Sequence, residues 1–149
     1  MPQRFSWIIE DSLAGMERPG SFFTLEEDLE FLKNFKIGVI VNLEEYYKDY
    51  PGFEVKHIPI NDFKAPQISD FEEFVKFVDS RVREKKRIVV HCYAGMGRTN
   101  IMLASYLIHH SQLDPDKALN LVKEKRPIHF VNEEQEEALK EYFYTLDRR

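Results

Sequence analysis

The sequence predicts an α/β domain: a central, mainly parallel sheet flanked by helices in three α/β/α layers. Short apolar runs rich in Ile and Val alternate with longer segments of helical periodicity, the pattern of successive βαβ units. No repeat, low-complexity tract or linker rich in Pro, Gly or Ser breaks that alternation, so residues 1–149 read as one domain. Hydrophobic residues at 43% and charged residues at 32% give the balance of a globular chain with a core to bury.

In chain order, residues 5–9 read as an opening strand and are followed by a turn region that ends at Pro19 and Gly20. Thr24 with Glu27 forms a capping box for a helix whose apolar positions are Leu25, Leu29, Phe31 and Leu32. The run 37–43 predicts a strand buried on both faces. Residues 44–51 are polar and turn-like, and a second strand spans 53–60. Ser69 with Glu72 suggests another capping box, ahead of Phe71, Phe74, Val75, Val78 and Val82 at helical spacing. Residues 88–90 form a short apolar strand. The helix that includes 101–108 is apolar almost all round and belongs in the middle of the fold. Asp114 with Pro115 opens the next helix, and Asn132 caps a last one carrying Leu139, Tyr142, Phe143 and Leu146.

Composition excludes several classes of function. A net charge of −5 argues against bulk attraction to nucleic acid or anionic membrane, so phosphate recognition requires a local site. With one cysteine there is no intrachain disulfide and no cysteine pair to anchor zinc; the reading is a cytoplasmic protein with a reduced thiol available for chemistry. The four remaining histidines besides His91 form no metal site in this reading: His109 and His110 are adjacent, and His57 and His129 stand alone. Residues 1–10 lack the apolar run of a signal peptide, and no stretch approaches the roughly 20 apolar residues of a membrane span.

The informative segment is His91-Cys92-Tyr93-Ala94-Gly95-Met96-Gly97-Arg98-Thr99: a strand end, a loop with two glycines, and a helix start. Such a loop turns successive N–H groups into one concave space, and the helix behind adds free N–H groups and the positive end of its dipole. A thiol at the start of that nest is favoured as thiolate, the form that attacks phosphorus. The Arg98 fork suits two phosphate oxygens at once, and the Thr99 hydroxyl is placed to steady a departing thiolate.

The pattern His-Cys-x5-Arg-Thr resembles the signature of the cysteine-based protein tyrosine phosphatase superfamily. From Phe5-Ser6-Trp7 to the last helix, the chain resembles the small atypical dual-specificity phosphatases, including compact archaeal ones. The resemblance implies that Cys92 is the nucleophile, Arg98 the phosphate clamp and His91 a modulator of the thiolate. It also implies that the backbone of residues 93–98 (Tyr93, Ala94, Gly95, Met96, Gly97, Arg98) binds phosphate. One departure is Asn100, where these phosphatases commonly carry glycine; its expected effect is on helix packing more than on chemistry.

Expulsion of an alkoxide or phenoxide needs a proton donor. Asp62, in a loop after a strand, is the candidate acid, and the family places its acid in such a loop at similar spacing. Asp70 is the rival carboxylate, but it falls in a helix first turn, where an acid suits the dipole. Gln135 has two open readings: it completes a capping box with Asn132, or, by resemblance, it orients the hydrolytic water. Glu45, with Tyr46 and Tyr47, reads as a solvated loop at the rim.

The expected function is hydrolysis of phosphotyrosine, and of phosphoserine/threonine, in proteins or peptides through a phosphocysteine, by a monomer using no metal or organic cofactor. Ionised Cys92 with protonated Asp62 predicts a bell-shaped pH profile on the acid side of neutral. The rivals are a phosphoinositide or RNA 5′-end phosphatase and a catalytically idle phosphopeptide-binding module. Lipid-directed relatives often place lysines inside the loop, where this chain has Tyr93 and Met96, and a binder needs no nucleophile.

Overall fold

A computed structural model describes residues 2–127 and 129–147; Met1, Ile128, Arg148 and Arg149 of the expected 1–149 domain lie outside the described residues. The elements are β1 (Ser6–Ile9), β2 (Leu13–Met16), α1 (Leu25–Asn34), β3 (Ile37–Asn42), β4 (Glu54–His57), α2 (Ile68–Arg83), β5 (Arg87–His91), α3 (Arg98–Ser111), α4 (Pro115–Lys125) and α5 (Glu133–Asp147). The sheet order is β1-β2-β5-β3-β4, with β1 antiparallel to β2 and the other pairings parallel. Among the described residues no helix is long and apolar enough to cross a membrane.

Strand alternation divides the core into two layers. Leu13, Val39, Val41, Ile88 and Val90 face a large cluster that also takes the buried side chains of α2, α3, α4 and α5. Ala14, Met16, Ile40 and Val89 face the opposite way, onto Leu32 of α1, Phe5 and Tyr50. The α/β/α expectation is met with one helix on one face and four on the other. The middle of α3 is buried on every side, as its all-round apolar sequence requires.

Two expectations need correction. The turn region before Pro19 contains a strand, β2, which joins β1 to the parallel sheet through β5. Its Leu-Ala-Gly-Met sequence has no β-branched residue and no alternation, because all four residues are buried. The second capping box lies two residues earlier than the sequence suggests: Gln67 is the N-cap of α2, and its N–H donates to the Asp70 carboxylate at 2.8 Å. Ser69 therefore sits within the first turn and Glu72 just past it. The Thr24–Glu27 box and the Asp114 cap form as expected, with Glu27 N donating to Thr24 Oγ1 at 3.1 Å and Lys117 N to Asp114 Oδ1 at 2.9 Å.

The parallel arrangement brings the carboxyl ends of β2, β3, β4 and β5 to one edge, where an open α/β sheet places its ligand site. Gly15 is tightly enclosed there: a Cβ on it would lie 2.8 Å from Arg126 Nη1, 2.9 Å from Leu103 Cδ1 and 2.9 Å from Thr99 Cγ2. Gly15→Ala is therefore expected to cost about 1–3 kcal/mol of unfolding free energy by overpacking. Urea titration checks this, and an unchanged midpoint would contradict the close packing.

Candidate active site

Chain geometry after β5 is set by what its carbonyls bond to. Tyr93 O accepts from Arg18 N at 3.0 Å, Met96 O from Phe130 N at 3.2 Å and Gly97 O from Ile101 N at 3.0 Å. Ala94 O accepts from Arg4 Nη1 at 3.2 Å, and Gly95 O accepts from Arg126 Nη2. With these carbonyls claimed from outside, the alternating N–H groups are left to face the inner side, the arrangement of an anion nest. Gly95 has φ +75, and a Cβ there would meet Met16 O at 2.6 Å, so this turn of the loop admits only glycine without a shift.

Cys92 is buried at the base of the loop. Its Sγ accepts from Gly95 N at 3.2 Å and from Thr99 Oγ1 at 3.1 Å. Above it lies a cup of about 110 Å³ lined by Asp62, Phe63, Cys92, Tyr93, Ala94, Met96, Gly97, Arg98, Phe130 and Gln135. A wider groove of about 490 Å³ runs past Ile108, His109 and Lys117 at the far end of α3. Its lining holds no thiol, whereas the smaller cup is built over Cys92.

Arg98 is buried and oriented from behind. Nη1 donates to Glu45 Oε1 and to Ile60 O, both at 2.8 Å, while Nη2 lies 3.4 Å from Asp62 Oδ1. Arg98 Nε is buried with no hydrogen-bond partner among the described residues, a donor left for a ligand in the cup it lines. Glu45, read from sequence as a solvated rim residue, instead pairs with Arg98 and accepts from Asp62 N at 3.3 Å. The available signal was its position just past the carboxyl end of β3. Hydrogen bonds of Glu45 to the backbone and to Arg98 hold its carboxyl below the usual range.

The segment bearing Asp62 is fastened to the start of α5. Asn132 Nδ2 donates to Phe63 O at 2.9 Å and Gln135 Nε2 to Lys64 O at 3.2 Å. Phe63 adopts φ +64, unusual for a bulky side chain, which presents its ring at the mouth opposite Phe130. Gln135 closes a reciprocal box with Asn132 (3.1 and 2.8 Å), as its capping reading expects, and it also lines the cup.

Behind Cys92, buried His91 is held by Tyr50 Oη at 3.0 Å from Nε2, and its Nδ1 lies 3.2 Å from Cys92 O. The Glu44 carboxylate lies 3.4 Å from the same Nδ1 and takes the Arg18 guanidinium, whose Nε approaches Oε2 at 2.9 Å. Burial alone would raise the Glu44 carboxyl, but His91 and Arg18 outweigh it and hold it at about 2. Burial pushes the Tyr50 phenol well up. Arg18 in turn covers the Tyr93 ring, 4.6 Å from its centroid.

Sequence reasoning missed Arg126, which reaches Gly95 O from the C-cap of α4, and no spacing signal marks it. Asn100 does more than adjust helix packing. Its Oδ1 accepts from Arg126 Nε at 2.7 Å and its Nδ2 lies 3.2 Å from His129 Nδ1. Burial first, and then the charges of Lys123 and Arg126, lower the His129 imidazole to about 4 from an ordinary 6.5. The folded state therefore holds His129 neutral while the unfolded chain protonates it. Its contribution to stability is complete above pH 6.5 and lost as pH falls towards 4. In thermal melts across that range, His129→Gln is expected to remove part of the parent's loss of stability. Parallel curves would contradict this account.

Comparison with known proteins agrees with the geometry. Residues 14–112 match the family model described as polymorphic toxin system, DSP-PTPase phosphatase. The phosphatidylglycerophosphate phosphatase PTPMT2 of Arabidopsis thaliana is 30% identical over 125 residues, 78% of this chain and 55% of that protein. Dual specificity protein phosphatase 2 of Mus musculus is 35% identical over 104 residues, 68% of this chain and 33% of that protein. The chain thus spans about half the length of the plant relative and a third of the mouse one. The crystal structure of Tk-PTP in the active form superposes with a TM-score of 0.82 at 31% identity, covering 95% of this chain and 97% of that one. The chain belongs to the DSP-PTPase family of cysteine-based phosphatases.

Proposed function

We propose that the chain removes phosphate from phosphotyrosine, and from phosphoserine/threonine, in proteins through a covalent phosphocysteine at Cys92. The observation that carries this is a single one: a buried thiol with two donors on its sulfur, at the base of a cup into which no loop carbonyl is left free to turn. The thiolate attacks phosphorus while the loop N–H groups of residues 93–98 and the Arg98 fork hold the non-bridging oxygens. Asp62 gives its proton to the departing ester oxygen. In the second step water attacks the phosphocysteine, ionised Asp62 takes the proton, Gln135 orients the water, and Thr99 steadies the sulfur as it leaves. Glu45 acts through Arg98, fixing the fork. Neither metal nor organic cofactor enters this sequence.

Substrate class follows from the rim. Phe63, Tyr93 and Phe130 are 62%, 56% and 61% exposed around a shallow cup, a surface for an aromatic ring entering with its phosphate. A lipid phosphate is the second reading. It is favoured by the plant relative, named as a phosphatidylglycerophosphate phosphatase, and by a fold match (TM-score 0.85, 18% identity) to PTPMT1 in complex with PI(5)P. The loop side chains Tyr93, Ala94 and Met96 offer no cation to an acidic headgroup, which supports the protein reading. A lone nucleophilic thiol also suits the reducing cytoplasm.

The test is phosphate release from a phosphotyrosine peptide in EDTA, beside phosphatidylglycerophosphate vesicles. Activity on the peptide, reduced to background by Cys92→Ser, is the expected result. Turnover that survives Cys92→Ser would contradict the phosphocysteine, and peptide binding without turnover would favour a binding module. Asp62→Asn is expected to lower kcat on the peptide by about 10²-fold or more. The loss should be smaller with p-nitrophenyl phosphate, whose leaving group needs less protonation; an equal loss on both would remove Asp62 from the acid's role.

A further inference from the structure

Arg126 is a cation buried in an unusual way. It is 2% exposed, and its guanidinium donates to three neutral oxygens: Nε to Asn100 Oδ1 at 2.7 Å, Nη1 to Arg4 O at 2.9 Å, and Nη2 to Gly95 O. Among the described residues no ion pair involves it. Room for it exists because Gly15 has no side chain; a Cβ there would lie 2.8 Å from Nη1. A guanidinium taken out of water without a paired carboxylate is a poor stabilising device, since desolvation outweighs what neutral acceptors return. Its burial therefore points to a role for the charge and for the fork.

Both have an evident object. The fork holds the carbonyl of Gly95, the residue whose N–H donates to Cys92 Sγ at 3.2 Å, so it fixes the peptide units that present this donor. The charge is bonded to the loop at the Gly95 carbonyl and is not among the residues that line the cup. Burial lowers the Arg126 guanidinium to about 10, and the first influences that oppose burial are the negative charges of Cys92 and then Glu17. The other charged or titratable neighbours are Arg4, Glu17, His129 and Lys123 around Arg126, and His91 and Arg98 around Cys92.

We propose that Arg126 is a positioning residue for the reaction, keeping the Gly95 carbonyl out of the cup and serving as built-in counter-charge to the Cys92 thiolate, with Asn100 holding its fork. This rests on the phosphocysteine reading. Asn100 Oδ1 supplies the acceptor for Arg126 Nε.

Cys92 is the only cysteine in the sequence, so iodoacetamide alkylation reports on it alone. At pH 6 the Arg126→Met protein is expected to alkylate about tenfold more slowly than the parent, as loss of a nearby cation predicts. At pH 9.5 the two rates are expected to agree, which separates an effect of charge from one of access to the sulfur. Arg126→Lys keeps the charge without the fork, so alkylation at pH 6 should stay near the parent's while kcat falls about tenfold or more. Equal pH 6 rates in folded Arg126→Met and parent, or an equal loss at both pH values, would overturn the proposal. Should Arg126→Met fail to fold, Arg126→Lys decides: a pH 6 rate near the parent's with reduced kcat upholds the proposal, and slow alkylation at both pH values overturns it. A parent that alkylates at pH 6 no faster than a cysteine peptide, or releases no phosphate, would instead sink the phosphocysteine reading itself.

Discussion

The carbonyls of residues 93–97 are each bonded from outside the cup, and the rest of the site depends on how that is achieved. A short loop leaving a buried strand has to satisfy every polar group of its backbone. Carbonyls turned inward would meet an incoming phosphate with like partial charge. The donors that prevent this come from the N-terminal segment (Arg4), the end of β2 (Arg18), α3 (Ile101), the end of α4 (Arg126) and the approach to α5 (Phe130). Only the Gly97 carbonyl is held locally, by the first helical bond of α3; for the other four the fold brings separated segments to the edge of the sheet where the parallel strands end.

The same economy governs the charges. Arg98 is fixed by Glu45 and the Ile60 carbonyl before any ligand arrives, so its order is established on folding rather than on binding. Glu44 joins Arg18 to His91, which links the donor of the Tyr93 carbonyl to the residue that precedes Cys92. Asn132 and Gln135 tie the segment after Asp62 to the start of α5. Each device has the same physical form: a polar side chain is paired with a group that borders the cup.

What the sequence made legible follows from the range of the interactions. The segment from His91 to Thr99 could be read because strand, nest, thiol and guanidinium are contiguous, and their chemistry constrains neighbouring positions. Asp62 was accessible from its loop, and α3 from an apolar character that only a central helix tolerates. The strand β2 was not, because its buried Ala14 and Gly15 have neither alternation nor β-branching, and its place is dictated by partners far along the chain. Asn100 could be seen as a departure, but its partner Arg126 could not: the three oxygens that Arg126 meets belong to Arg4, Gly95 and Asn100, which no periodicity connects. Glu45 lay between these cases, close to a strand end but without a motif.

A crystal structure with orthovanadate bound tests the central claim, that this outward-held loop forms a phosphate cradle over a nucleophilic thiol. The expected result is vanadium bonded to Cys92 Sγ, with its equatorial oxygens on the N–H groups of residues 93–98 and on Arg98 Nε, and its apical oxygen beside Asp62. Vanadate absent from the cup at saturating concentration, or held there by side chains without a bond to Cys92, would contradict it.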